Sequence, residues 1–242
     1  VNVRPPIPGL DLPGVMTSDE LLEGTDTPYA SIVIIGGGVS YGPLGISHHS
    51  TEDIAILRAL PNLLVVAPCD PQEAEAATYA MIEHDGPVYY RCGYKGEKDI
   101  HHRPFHFELG KAITVEDGDD CTIIFAGPIG LEAQKAVEAV CEQGIHCRLI
   151  SMHTIKPIDK DAILRAARET GRIITVEEHN LSGGLGSAVA EVLADEGCLN
   201  IRFKRMALPD VNVHEVGSQQ WLRELYHLGA ADIAEEIRKI CK

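Results

Sequence analysis

A chain of 242 residues with 45% hydrophobic content is long enough to bury one or two cores. Its 21 basic and 36 acidic residues leave a net charge of −15, which excludes a nucleic-acid binder that relies on a basic footprint. Apolar runs are all far shorter than a membrane span and no secretory leader is legible, so neither membrane insertion nor export is expected.

The first thirty residues are rich in Pro, Gly and acids and show little periodicity. A β-branched run over 31–35 reads as a strand and ends in Gly36, Gly37 and Gly38. The spacing predicts a helix over 52–60 with Thr51 as its cap, then a strand over 63–67 stopped by Pro68. Asp70, Pro71 and Glu73 form a capping pattern for a helix running to about residue 83. A strand over 88–92 follows. Residues 93–104, GYKGEKDIHHRP, are polar and breaker-rich and read as a connection between domains.

A second series then starts. Strands are expected over 121–126, 146–150, 172–177 and 201–206, and helices over 131–143, 159–169, 184–194, 218–226 and 230–240. Alternation of this kind implies α/β architecture: two consecutive three-layer domains with mostly parallel sheets. The expected division is an atypical segment 1–30, a first domain 31–95, a linker 96–105 and a second domain 106–242.

The seven cysteines form no CxxC pair, and their number is odd. A disulfide framework and a zinc site with closely spaced ligands are both disfavoured, and reduced thiols in a cytoplasmic protein are expected. Glu177, Glu178 and His179 read as a strand-end cluster rather than a metal site, because adjacent residues rarely face one ion. The turn SGGLGSAVAE over 182–191 has a nucleotide-loop look, but a lone glycine-rich turn is weak evidence for one.

The segment YGPLGISHHSTEDIAILR, residues 41–58, concentrates the chemistry. A Gly/Pro loop holds backbone in fixed exposed shapes, and His48 and His49 on it can exchange protons near neutral pH. This stretch, with VVAPCDPQEAEAA and DGPVYYR, resembles the pyrimidine-binding domain of transketolases, above all the separate C-terminal subunit of split transketolases. The resemblance continues through FELGKAITVEDGDDCTIIFAG, HTIKPID and VEEHNLSGGLGSAVAE, covering roughly 200 residues in family order. Sister families, 1-deoxyxylulose-5-phosphate synthase and the β subunits of 2-oxo acid dehydrogenases, share the architecture but match the paired histidines less well.

What the resemblance implies is thiamine diphosphate chemistry with Mg²⁺ or Ca²⁺, moving a two-carbon ketol unit between sugar phosphates. His48 matches the family's catalytic histidine near the reacting carbons, and His49 flanks it. Leu44 stands where many transketolases have an Asp for a sugar hydroxyl, and Tyr94 where an arginine commonly binds sugar phosphate. Arg91 and Lys95 are the cations nearest that position, so both are candidates for substrate binding. The family also implies an upstream Glu that drives proton transfer at the cofactor and a separate diphosphate-binding domain. Residues 1–30 match neither. The expectation is a homodimer, or a heterotetramer with a diphosphate-binding subunit, and no turnover by this chain alone. A non-catalytic assembly module is the alternative.

Residues 1–38 resemble instead a flavin-dependent disulfide reductase, such as dihydrolipoamide dehydrogenase, entering its NAD-binding domain. Gly36 and Gly38 fit a GxGxxG fingerprint, but Tyr41 occupies the third glycine position, so no working NAD site is expected.

Overall fold

The computed structural model describes residues 31–242 apart from 36, 95 and 199; the expectations for residues 1–30, Gly36 and Lys95 fall outside the described residues. Strands β1 (Ser31–Ile35), β2 (Leu64–Val66) and β3 (Val88–Cys92) run parallel in the order β1-β3-β2. A short strand from much later in the chain, β7 (Thr154–Lys156), completes this sheet antiparallel to β2. The second sheet has the order β4-β6-β5-β8-β9 and comprises β4 (Ile113–Glu116), β5 (Cys121–Ala126), β6 (Cys147–Ser151), β8 (Arg172–Asn180) and β9 (Arg202–Leu208). All its pairings are parallel except β4 on the β6 edge.

The helices are α1 (Asp53–Arg58), α2 (Pro71–Glu83), α3 (Gly130–Cys141), α4 (Lys160–Glu169), α5 (Leu185–Asp195), α6 (Gln219–Leu225) and α7 (Ala230–Cys241). The second sheet is the middle of three layers, and β5 shows why. Its whole length is buried, and alternate side chains serve opposite faces. Cys121, Ile123 and Phe125 join a core with α3 and α7 through Ala133, Val137, Ile233 and Ile237. Ile124 and Ala126 join the opposite core with α4 and α5 through Ile163, Ala166, Val189 and Val192. That second core also takes in Ile54, Val65 and Tyr89, so the two sheets share packing.

Capping residues act as their types dictate. Asp70 accepts the Glu73 N–H at the start of α2, Asp159 accepts the Ala162 N–H at α4, and Ser218 accepts the Trp221 N–H at α6. Thr51 does not cap α1; its hydroxyl donates to Glu52 Oε1 instead, and Glu52 takes the cap position without a side-chain bond.

Three features depart from the sequence reading. Strands β4 and β7 escape it because three or four residues carry too little periodicity. Strand β8 continues past residue 177 to Asn180, and Glu178 and His179 are buried rather than solvated at a strand end. The segment read as a linker is anchored. Ile100 and His101 are buried, and their backbone N–H groups both donate to Asp70 Oδ2. Gln72 and Gln134 donate to the carbonyls of His101 and Ile100 in turn. Among the described residues, no helix is long and apolar enough to cross a membrane.

Candidate active-site loop

Residues 41–50 form a loop with a closed neck. Gly38 and Ser50 exchange N–H···O bonds of 3.0 Å in both directions. Two 3₁₀ turns, Gly42–Leu44 and Ile46–His48, make up the loop, joined at Gly45 with φ of 73°. Pro43 suits the first turn because its φ is preset. Gly42 accepts the Gly217 N–H, which docks the loop on the segment before α6.

His48 is exposed, and its Nδ1 lies 3.0 Å from Ser47 Oγ. The Tyr41 ring is 5.8 Å away, centroid to centroid, and Tyr41 packs at 4.0 Å against Tyr94. Partial burial and the neighbouring Tyr94 raise the Tyr41 hydroxyl above its ordinary range. The loop therefore presents an imidazole Nε2 and an aromatic wall to whatever faces it. His49 is half-buried, with Nδ1 3.1 Å from the Val213 carbonyl. Its Nε2 is buried without a hydrogen-bond partner among the described residues. The two adjacent histidines thus differ: one is offered outward, the other is tied to the C-terminal half.

Beneath the loop lies a buried charged seam. Arg91 Nε donates to Asp53 Oδ2 at 2.7 Å, and Tyr89 donates to the same oxygen at 2.6 Å. Arg91 Nη2 also donates to the Ser50 and Glu178 carbonyls, both at 2.9 Å. Glu178 pairs with Arg223 and accepts from Gln219, which also reaches Ser40. Burial pushes the Asp53 carboxyl up, but Arg91 and Tyr89 outweigh it and hold the group below the usual carboxylate range. His179 accepts the Ala55 N–H at Nε2; burial and then Arg91 hold its ring below the usual histidine range. Behind this seam Glu177 accepts the Leu185 and Gly186 N–H groups at the start of α5, and burial still pushes its carboxyl up to about 7. The SGGLG turn is therefore filled by the protein's own carboxylate.

The glycines at the end of β1 have a structural use as well. A Cβ on Gly37 would collide with the Arg91 side chain, and Gly38, with φ of 67°, lies against Glu178.

Of the expected site residues, His48 and His49 sit on the loop. Arg91 is 2% exposed, and its Nε and Nη2 donate to Asp53, Ser50 and Glu178, which ties it into the fold beneath the loop. Lys95 is not among the described residues. Leu44 is exposed on the first turn, as the sequence position implies. Sequence reasoning missed Gln219 and Arg223, which reach the seam from far along the chain, and no local signal marks them.

Comparison with known proteins follows this geometry closely. Residues 110–233 match the family profile described as transketolase, C-terminal domain, and residues 22–93 match the transketolase pyrimidine-binding domain. The second match begins upstream of the expected boundary at residue 31. An apulose-4-phosphate transketolase subunit of Phocaeicola vulgatus is 43% identical over 183 residues, 75% of this chain and 58% of that protein. A putative transketolase C-terminal section of Methanocaldococcus jannaschii is 38% identical over 213 residues, 87% of this chain and 66% of that protein. A solved chain titled split gene transketolase, inactive beta4 tetramer, superposes with a TM-score of 0.79 at 34% identity, covering 88% of this chain and 67% of its own. The chain therefore spans about three-fifths to two-thirds of the length of these relatives.

Proposed function

From the premise that the chain belongs to the transketolase family, as a C-terminal section, we propose that it is the substrate-facing component of a two-carbon ketol transferase acting on sugar phosphates. The observation that carries this reading is His48: an outward imidazole on a loop pinned at its neck, at the family's catalytic position. Relatives named as transketolase subunits, including one named for 6-deoxy-6-sulfo-D-fructose, support a multi-subunit assembly acting on a phosphorylated or similarly acidic ketose.

The described residues fit one side of a thiamine diphosphate site. His48 and the Tyr41–Tyr94 pair offer a hydrogen-bonding ring nitrogen and aromatic faces at an open surface. Arg91 and Tyr89 both bond Asp53 Oδ2 and hold that carboxyl below the usual carboxylate range. When bound, the cofactor supplies carbanion chemistry for carbon–carbon cleavage. Its diphosphate and Mg²⁺ (or Ca²⁺) are held by a diphosphate-binding subunit, in a heterotetramer or a related dimeric arrangement. The work of this chain is to hydrogen-bond sugar hydroxyls and move protons. A neutral His48 does both, since one ring nitrogen donates while the other accepts. The Ser47 hydroxyl engages Nδ1 and leaves Nε2 to face the substrate. The seven unpaired thiols suit a reducing cytoplasm.

A ketose-plus-aldose assay with thiamine diphosphate and Mg²⁺ tests the proposal. The expected result is no turnover by the chain alone and turnover once the assembly holds both a diphosphate-binding subunit and the family's proton-relay Glu. Clear turnover by the isolated chain removes the partner requirement. Calorimetry showing self-association with no cofactor uptake in the presence of a partner favours a purely structural module instead.

A further inference from the structure

A second cluster of ionisable groups lies away from the loop, where α2 begins and the segment around residue 100 docks. Cys69, Asp70 and His101 are all buried, and one sulfur, one oxygen and one nitrogen from them lie within 4.8 Å of one another. Cys69 Sγ is 3.9 Å from His101 Nε2. In a tetrahedral zinc site with ordinary bond lengths, sulfur and nitrogen ligands stand about 3.5 Å apart, so only a small closure is needed. Glu73 Oε1 is 2.9 Å from the same His101 nitrogen.

Two further observations bear on this cluster. The first is charge. Asp70 and Glu73 are 3% and 0% exposed, and among the described residues neither forms an ion pair with lysine or arginine. Backbone N–H groups serve Asp70, while Glu73 has the Cys69 N–H and the His101 ring. Two buried carboxylates face a thiol and two imidazoles, His101 and His153, and burial makes any unbalanced charge costly. The second is that further buried polar groups turn to the same cluster. Ser151 is fully buried and faces both the Glu73 carboxylate and the Cys69 thiol. His153, also fully buried, lies within the electrostatic reach of Glu73 and His101.

We propose that Cys69, Asp70 and His101 bind a divalent zinc-type cation, with Glu73 closing the fourth side. Sulfur, nitrogen and oxygen donors together select Zn²⁺ or Co²⁺ over Mg²⁺ or Ca²⁺. The ion ties the start of α2 to the segment joining the two halves of the chain. Binding releases the Cys69 thiol proton to solvent, since the thiolate is the ligand, so affinity rises with pH.

Co²⁺ titration of the full chain, stripped with chelator and followed by absorbance, tests the site. The unmutated chain takes up one Co²⁺ with a thiolate-to-cobalt charge-transfer band, and Zn²⁺ displaces it. Cys69→Ser abolishes the band, and His101→Gln or Glu73→Gln lowers affinity by about 10- to 100-fold. Cys141→Ser, which removes an exposed thiol 3.7 Å from His146, leaves band and affinity unchanged. Absence of stoichiometric Co²⁺ uptake by the unmutated chain, or survival of the band in Cys69→Ser, overturns the assignment. The first outcome is independent of how any variant folds and of transferase activity.

Discussion

The exposed loop over residues 41–50 and the seam beneath it both carry polar side chains and put them to opposite ends. On the loop, His48 keeps a ring nitrogen open, and its internal bonds are short-range. In the seam, Arg91, Asp53, Glu178 and Arg223 direct their bonds into the protein, across distances in sequence of 38 to 87 residues. The difference teaches that a charged side chain near a site is not thereby part of its chemistry. Arg91 sits at the end of β3, next to the loop, yet its work is to hold Ser50 and Glu178 in place.

The comparison breaks most readily at His48. We expect His48→Ala to lower kcat/KM of the complete assembly by about 10²- to 10⁴-fold, while thermal stability stays within about 0.5 kcal/mol of the parent. A large loss of stability would place His48 with the seam. Arg91→Met should do the reverse. It leaves Asp53 buried without its cation and costs about 3–5 kcal/mol in denaturant unfolding. A loss below about 1 kcal/mol would show that the seam does not hold the loop.

Glu177 sharpens the same contrast through pH. Its carboxyl titrates near 7 when folded and near the ordinary 4.5 when unfolded. Between these values the folded state binds the extra proton, so stability falls as pH rises, by on the order of 3 kcal/mol in all. Glu177→Gln should flatten that slope in unfolding measurements from about pH 5 to 8; an unchanged slope would assign it to other groups. The smallest effect is expected at Ser218, whose hydroxyl caps α6 beside the loop anchor at Gly217. Ser218→Ala should cost about 1 kcal/mol in stability, with a minor change in KM.

Much of the fold was legible because it rests on local rules. The Asp70–Pro71–Glu73 start of α2 and the largely apolar β5 are patterns that neighbouring residues specify by themselves. Family resemblance added the histidine loop. The charged seam was not legible, because charge reads as solvent-facing unless a partner is known, and Glu178 finds Arg223 45 residues away. Nor does the sequence show that the expected linker is anchored: Asp70 draws Ile100 and His101 inward.

By itself the sequence determined the α/β alternation and the parallel character of the sheets, since each depends on spacing within a few turns or strands, while its family resemblance marked the loop that carries His48. Tertiary structure alone decided which histidine faces outward, that Arg91 serves the fold, that β7 crosses to the first sheet, and that Cys69, Asp70 and His101 meet. Those outcomes depend on which distant group is available to neutralise a buried charge or satisfy a buried donor, and chain order does not encode that distance.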